Sequence, residues 1–132
     1  MKIINFLSFL IITPLFSCSQ NLDCEYFKNG GFIISNDSEK TPPYKIIRKG
    51  EFQIEIDDKG IKRYSKIEWL DDCSYQLTYD PKKMSLNDFQ KRVNNSGGII
   101  VHINKIEGNC GYFTSIIKGH DSKPIQGVMC AE

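Results

Sequence analysis

The side chains that could perform acid–base chemistry are few and scattered along the chain. The two histidines, His102 and His120, have no serine-centred elbow or activated cysteine beside them, and a catalytic histidine requires such a partner. Several acids could supply the carboxylate pair of a glycoside hydrolase, but carboxylates that alternate along a strand are normally solvated surface. These acids are Glu51, Glu55, Glu68 and Asp71. We therefore predict no catalytic residue and no enzymatic activity.

The glycine, aspartate and cysteine patterns also lack the spacing of cofactor sites. The glycines at 30–31 and 97–98 do not form a phosphate loop or a dinucleotide-binding pattern. The acidic segment 57–60 lacks the ligand spacing of an EF-hand and is typical of a turn. No CxxC pair occurs, and neither histidine stands at a zinc-like spacing from a cysteine. The sequence therefore predicts no cofactor and no metal.

Residues 1–17 predict an export signal of the lipoprotein type. Lys2 is followed by an uncharged, mostly apolar run that ends at Phe16, and this run is shorter than the roughly 20 residues of a membrane-spanning helix. Residues 15–18, Leu-Phe-Ser-Cys, resemble the bacterial lipobox, in which the cysteine receives the lipid. The sequence thus predicts lipidation of Cys18, a tether at 18–23 and a β domain at 24–132. The alternative is ordinary cleavage near Ser17 or Ser19 with Cys18 left as a thiol.

This interpretation places the protein in the cell envelope. We expect it to be lipid-anchored to the inner or outer membrane and to face the periplasm or the cell surface. The other four cysteines, in an exported chain, predict two disulfides with three possible connectivities. We favour Cys24 with Cys73 and Cys110 with Cys130, because the first pair would tie the N-terminus to a central hairpin and the second would clamp the last two strands.

The charge balance excludes one large class of partners. The chain carries 17 Lys and Arg against 16 Asp and Glu, a formal net charge of +1, and no basic run is longer than a pair. A nucleic-acid backbone requires a basic face, so we expect no nucleic-acid partner. The same balance argues against binding to an acidic membrane by charge alone.

The elements that would position any site are predicted to be short antiparallel strands. Residues 61–79 alternate with a period of two on both sides of a polar turn: Ile67 and Trp69 share one face, and Tyr75 and Leu77 share the corresponding face of the second strand. The same period, interrupted by turn residues, predicts further strands at 24–35, 44–48, 51–56, 99–107, 110–118 and 125–130. In the strand at 51–56, Phe52 leads the apolar parity.

One helix is predicted, at 84–95. Ser85 is the expected N-cap, Met84 and Phe89 the expected hydrophobic staple, and Leu86, Phe89 and Val93 the apolar stripe. The fold class is therefore mainly β: a single antiparallel meander of about seven or eight strands, forming a barrel or a strongly curved sheet, with one short helix.

The aromatic residues are the most suggestive binding feature. If they all point inward, they either form a solid core or line a cavity that holds one small ligand in an eight-stranded barrel. The candidate lining residues are Phe52, Trp69, Tyr75, Tyr79 and Tyr112. The sequence leaves both alternatives open.

Four features occur in a characteristic order: the lipobox at 15–18, the Cys24-x-x-Phe27 motif, the segment WLDDCSYQLTY at 69–79, and a late Ser-capped helix. This order resembles a group of small bacterial exported lipoproteins of unknown function that often carry the label DNA topoisomerase IV. The export signal and the neutral charge contradict a topoisomerase role. The expected shape is similar to lipocalin-like barrels, although the G-x-W signature near the first strand is missing.

Two functions remain as hypotheses. In the first, a membrane-tethered lipoprotein binds a small apolar ligand or an envelope protein. In the second, the domain resembles the small lipoprotein inhibitors of lysozyme, and a loop at 36–43 or 119–124 enters the cleft of an extracytoplasmic enzyme. A cavity lined by Trp69 and Tyr75 would favour the first hypothesis, and a rigid loop over a filled interior would favour the second.

Overall fold

The computed structural model describes residues 23–37 and 40–132. The predicted signal peptide, the predicted lipidation site Cys18 and nearly all of the tether lie outside the described residues. Eight antiparallel strands form a closed barrel in chain order, and β1 pairs with β8 to complete the ring. The strands are β1 Gly30–Asn36, β2 Tyr44–Lys49, β3 Phe52–Ile56, β4 Lys62–Trp69, β5 Ser74–Tyr79, β6 Ile99–Glu107, β7 Cys110–Ile117 and β8 Ile125–Ala131. The predicted fold class is confirmed.

The central hairpin has the predicted register. Ile67 lies opposite Leu77, and Trp69 lies opposite Tyr75, so the apolar parity of each strand meets on one face. Ile67 and Tyr75 are buried in the core. In the turn between the strands, the side chain of Asp71 accepts a hydrogen bond from the backbone N–H of Cys73 at 2.9 Å, which fixes the chain reversal locally.

The inward face of β3 is the opposite of the predicted one. Phe52 is 44% exposed, whereas Gln53 is 5% exposed and points into the barrel. The cause lies in the neighbouring strand, where Arg48 is buried and its Nε donates to Oε1 of Gln53 at 2.8 Å. Because a buried guanidinium needs acceptors, the polar parity of β3 faces the interior and the apolar parity faces outward.

The segment predicted to begin the first strand is partly helical. Cys24–Phe27 forms a 3-10 helix, and the side chain of its N-cap, Asp23, accepts from the N–H of Glu25. The strand begins only at Gly30, whose φ of 123° lies in a region that favours glycine. Cys24 and Phe27 are both buried, so this helix closes one end of the barrel.

The helix α1, Asp88–Ser96, begins later than predicted. Asn87 is the N-cap in place of Ser85, and it exchanges two hydrogen bonds with Gln90 in a capping box. The predicted staple is wrong, because this start moves Phe89 to the first turn, where it is 49% exposed. Asn caps as well as Ser does, so the choice between the two depends on the path of the preceding loop.

Helix α1 extends the barrel wall between β5 and β6. Asn94 bonds both the N–H and the C=O of Tyr79, each at 2.8 Å, and so replaces a strand partner there. The connection returns to β6 through Gly98, where an added Cβ would lie 2.3 Å from the backbone oxygen of Leu77. Glycine is therefore required for the close approach of α1 to β5.

Both favoured disulfide pairings are confirmed. Cys24 is bonded to Cys73, and Cys110 is bonded to Cys130. The first bond joins the N-terminal 3-10 helix to the start of β5, and the second joins directly opposed residues of β7 and β8. Within the described part of the chain, no helix is long and apolar enough to cross a membrane.

Candidate functional site

The interior of the barrel has two different halves. At the end closed by the 3-10 helix, the inward side chains are buried, except that of Trp69, which is half-buried and packs against the core. This packed half consists of Phe32, Ile34, Ile46, Arg48, Gln53, Ile67, Tyr75, Val101, Ile103, Phe113 and Met129. Phe27 of the 3-10 helix lies against Gly111, where an added Cβ would meet its ring at 3.1 Å. A side chain at position 111 would therefore require the ring of Phe27 to shift by a few tenths of an ångström.

Arg48 is the polar centre of the packed half. Its Nη1 donates to the backbone oxygen of Phe27 at 2.9 Å, and its guanidinium carbon lies 4.3 Å from the ring centroid of Tyr75. Together with the bond to Gln53, these contacts tie the 3-10 helix to β2, β3 and β5. Nη2 of Arg48 and Nε1 of Trp69 are buried donors without a hydrogen-bond partner among residues 23–37 and 40–132. Arg48 therefore holds the 3-10 helix Cys24–Phe27 in the end of the barrel, and we call this helix the plug.

At the opposite end, the inward positions of the same strands are only half-buried. These positions follow from the period of two, because they have the same parity as the fully buried residues of each strand. This open half consists of Tyr44, Glu55, Arg63, Ser65, Leu77, Tyr79, Ile99, Ser115 and Ile117. Solvent therefore reaches inward-facing side chains of a closed barrel from this end, as it would in a cup.

An ion cluster lies in the open half. Arg63 donates to Oε1 of Glu55 from Nε at 2.9 Å and also from Nη2, and its Nη1 lies 3.7 Å from Oδ2 of Asp57. The side chains of Arg63 and Glu55 are 33% and 25% exposed, so the pair keeps contact with water. Burial opposes the charge of Arg63, but the hydrogen bond and the charge of Glu55 outweigh burial and raise its pKa.

Two tyrosines flank this cluster. Burial is the main cause that raises the pKa of Tyr44 well above its usual value, and the negative charge of Glu55 adds to it. Burial also raises the pKa of Tyr79, again with a contribution from Glu55. Both phenols therefore stay protonated at neutral pH and can donate a hydrogen bond.

The open half combines two kinds of surface. Leu77, Ile99 and Ile117 supply aliphatic wall, while Tyr44 and Arg63 supply polar groups that can bond a ligand. Ligand sites in proteins have this mixture of mostly apolar lining and a few oriented polar groups.

The five predicted lining residues do not share one cavity. Trp69 and Tyr75 stack in the packed half, with ring centroids 4.9 Å apart, and Tyr79 lies in the open half. Phe52 and Tyr112 point outward and are 44% and 40% exposed, contrary to the prediction. Alternation along a strand defines two faces but does not say which of them is inside.

Sequence reasoning missed Tyr44, Arg63 and the inward role of Glu55. A signal was available, because the tight turn after Ile56 sets the register of β3 and β4 and places Glu55 opposite Arg63. Opposite charges in directly opposed positions attract across an antiparallel pair. The ion cluster of the open half could therefore have been predicted from the opposed positions of Glu55 and Arg63.

Of the residues considered for acid–base chemistry, Glu55 lies in the open half, bonded to Arg63, whereas His102 and Asp71 lie on the outer surface. Oγ of Ser74 is 2.6 Å from Nδ1 of His102, and these two residues are directly opposed in β5 and β6. The pKa of Asp71 is lowered first by the backbone hydrogen bond from Cys73 and also by the Ser74 side chain. In a hydrolytic triad the acid orients the histidine, whereas here the acid contacts the serine. No group of three or more metal-ligating side chains occurs within the described ranges.

Comparisons with known proteins identify no family for this chain. No protein-family model matches the chain, and no curated protein matches it.

Proposed function

We propose that this protein is an exported, lipid-anchored binding protein that holds one small amphiphilic ligand in the open half of its barrel and catalyses no reaction. The observation that carries the proposal is the half-burial of inward-facing residues at one end of a closed barrel. The other end is packed and plugged, so a ligand would enter and leave through the open end alone.

The position of the N-terminal 3-10 helix agrees with a membrane anchor. Cys24 enters the barrel at the plugged end, and six residues, 18–23, would connect this helix to the lipid. A fully extended chain of that length spans about 20 Å. The plugged end would therefore lie close to the membrane, and the open end would stay accessible to soluble ligands.

The test uses native mass spectrometry on the full chain purified from its own envelope. The expected result is a bound small molecule in one-to-one ratio and a lipid on Cys18. Replacing Ser65 by Phe places a ring in the open half, and Ser35→Phe places the same ring on the outer face of β1. We expect S65F to lose the bound mass and S35F to keep it.

Two results would argue against this function. A chain without lipid on Cys18 would remove the anchor from the proposal. Equal ligand retention by S65F and S35F would remove the open half as the binding site.

A second candidate, inhibition of an extracytoplasmic enzyme, is supported by one observation. The end of β1 and the start of β8 lie side by side at the open end, where the N–H of Asp37 donates to the backbone oxygen of Gln126 at 3.3 Å. Residues 119–126 are exposed throughout, so the β7–β8 connection is accessible to a partner at this end. Replacing 120–124 by two glycines should abolish inhibition of envelope lysozyme if this candidate is right, and should leave ligand binding in the open half intact.

A further inference from the structure

Apolar side chains form a row on the outer face of β2, β3 and β4, where they lie outside the core of the barrel. Ile47 lies opposite Ile54, and Ile54 lies opposite Tyr64, so the three side chains form a line across the strands. Ile47 is 37% exposed. We call this row the lysine-bordered face, together with the two rows beside it, which are Lys49–Phe52–Lys66 and Lys45–Ile56–Lys62.

Lysines border the apolar row on both sides. Toward the plugged end, Lys49 lies opposite Phe52 and Phe52 lies opposite Lys66. Toward the open end, Ile56 is flanked in the same way by Lys45 and Lys62. Alternation places Lys45 and Lys49 on one face of β2, and Lys62 and Lys66 on one face of β4. The register of both strands with β3 brings the two pairs to the same face of the barrel.

Two connected hollows lie on this face. One has a volume of about 780 Å³ and is lined by residues that include Lys66 and Trp69. The other, of about 420 Å³, is lined by residues that include Ile54 and Tyr64. Both include Phe52 and Lys83, and Nζ of Lys83 lies 5.2 Å from the ring centroid of Phe52.

The charge of this face differs from that of the whole chain. Lys45 is neutralised by Glu132 at 2.7 Å, and Glu51, Glu68 and the buried Asp80 line the larger hollow. Against these three acids stand five further lysines. They are Lys49, Lys62, Lys66, Lys82 and Lys83. A chain with a formal net charge of +1 therefore presents a local excess of positive charge around exposed apolar side chains.

We propose that the lysine-bordered face docks on the surface of an anionic lipid bilayer. Exposed Phe and Ile side chains would enter the headgroup region, and the surrounding lysines would bind acidic headgroups. The apolar and the electrostatic contribution favour the same orientation of the barrel on the bilayer. Position adds a third argument, which alone rests on the lipid anchor of the proposed function. The backbone N–H of Gly50, beside this face, donates to Oδ1 of Asn29 just after the 3-10 helix, so the face adjoins the point where a tether would leave the barrel.

The test is amine acetylation of the full chain mixed with vesicles, read residue by residue by mass spectrometry. The vesicles contain phosphatidylcholine alone or phosphatidylcholine with about one third phosphatidylglycerol, a fraction chosen to give an acidic surface. We expect Lys49, Lys66 and Lys83 to react at least about tenfold more slowly on the acidic vesicles, and this protection to disappear in high salt. Lys91 and Lys123, which are exposed elsewhere, should react equally on both.

Matched variants separate the apolar contribution from the charge. Phe52→Ser removes an exposed ring from the face, and Ile116→Ser removes a side chain of similar exposure from the outer face of β7. F52S should lose most of the protection, and I116S should keep it.

Two outcomes overturn the inference. Equal reactivity on the two vesicle types means that the face does not recognise acidic lipid. Protection seen only in native envelope, and absent on pure vesicles, means that a protein with an acidic surface is the occupant. Protection on acidic vesicles by a chain that lacks lipid on Cys18 would leave this inference standing and would overturn only the anchor.

Discussion

The packed half and the open half are built from the same eight strands, yet they differ in burial and in polarity. The packed half buries aromatic and aliphatic side chains around one arginine, Arg48. The open half keeps an arginine, Arg63, in contact with two carboxylates and water. The difference arises from the N-terminal 3-10 helix, which covers one end of the barrel and has no counterpart at the other end among the described residues. A barrel wall therefore does not determine by itself whether its interior is a core or a cup.

The largest expected effect tests the plug. Replacing Cys24 and Cys73 by alanine should lower the free energy of unfolding by about 4 kcal/mol, because the bond closes a loop with a sequence separation of 49. The matched pair Cys110→Ala/Cys130→Ala, with a separation of 20, should cost about 3 kcal/mol by the same argument. Urea unfolding measures both. A smaller loss for the first pair would mean that the plug is not coupled to the barrel.

The next effect compares the same substitution in the two halves. Ile103 is 0% exposed, so Ile103→Ala should cost about 3 kcal/mol through lost burial and a cavity. Ile117→Ala, in the half-buried open half, should cost about 1 kcal/mol, because less surface leaves the protein interior. Thermal unfolding of both variants checks the ratio. Equal losses would show that the open half is packed like a core in solution.

A smaller effect is expected from the ion cluster. Glu55→Gln removes the carboxylate that binds Arg63, and because the pair is partly solvated the loss of stability should be only about 1 kcal/mol. The fully exposed pair Lys105 and Glu107, with Nζ 2.6 Å from Oε1, is the control. Glu107→Gln should leave the unfolding midpoint unchanged. Equal shifts of the midpoint in E55Q and E107Q would mean that the ion pair in the open half is no stronger than an exposed pair.

The smallest effect is a change in alkaline titration. The chain has six tyrosines, and the raised pKa of Tyr44 and of Tyr79 means that these two ionise above the usual pH range of a phenol. The folded protein holds their protons more tightly than the unfolded chain, whose phenols titrate near pH 10. Stability is therefore fully present below about pH 10 and falls as the pH rises above it.

Absorbance at 295 nm measures the ionisation of phenols directly. Tyr44→Phe and Tyr79→Phe should each remove part of the late phase, which occurs at the highest pH. A late phase that persists unchanged in Y44F would mean that water reaches this phenol freely.

Much of the fold could be predicted from local pattern. The hairpin at 61–79 and the bounds of β6 follow from alternation. The four cysteines after Cys18 indicated two disulfides but allowed three connectivities, and the favoured one rested on the expected positions of the strands. The inward face of β3 could not be predicted in this way, because its choice depends on Arg48 in a neighbouring strand. The 3-10 helix at Cys24–Phe27 was missed for a similar reason, since its stability comes from contacts to β2 and β5 rather than from its own four residues.

The candidate site was less accessible to sequence reasoning. Half-burial of Leu77 or Ile99 depends on whether anything covers the end of the barrel, and no local pattern reports that. The lysine-bordered face depends on register between strands that are separated by turns. Composition gave a neutral chain, and only the pairing of β2, β3 and β4 reveals an uneven distribution of charge.

The pairing of β1 with β8 has a consequence for biosynthesis. These two strands are the furthest apart in sequence, so the ring of hydrogen bonds is completed only when the last strand has been made. Until then β1 and β7 each expose an unpaired edge, and such edges can pair with other chains. Contacts between distant segments also slow folding. The nascent protein should therefore depend on protection from aggregation for longer than a sheet whose neighbours are all sequential.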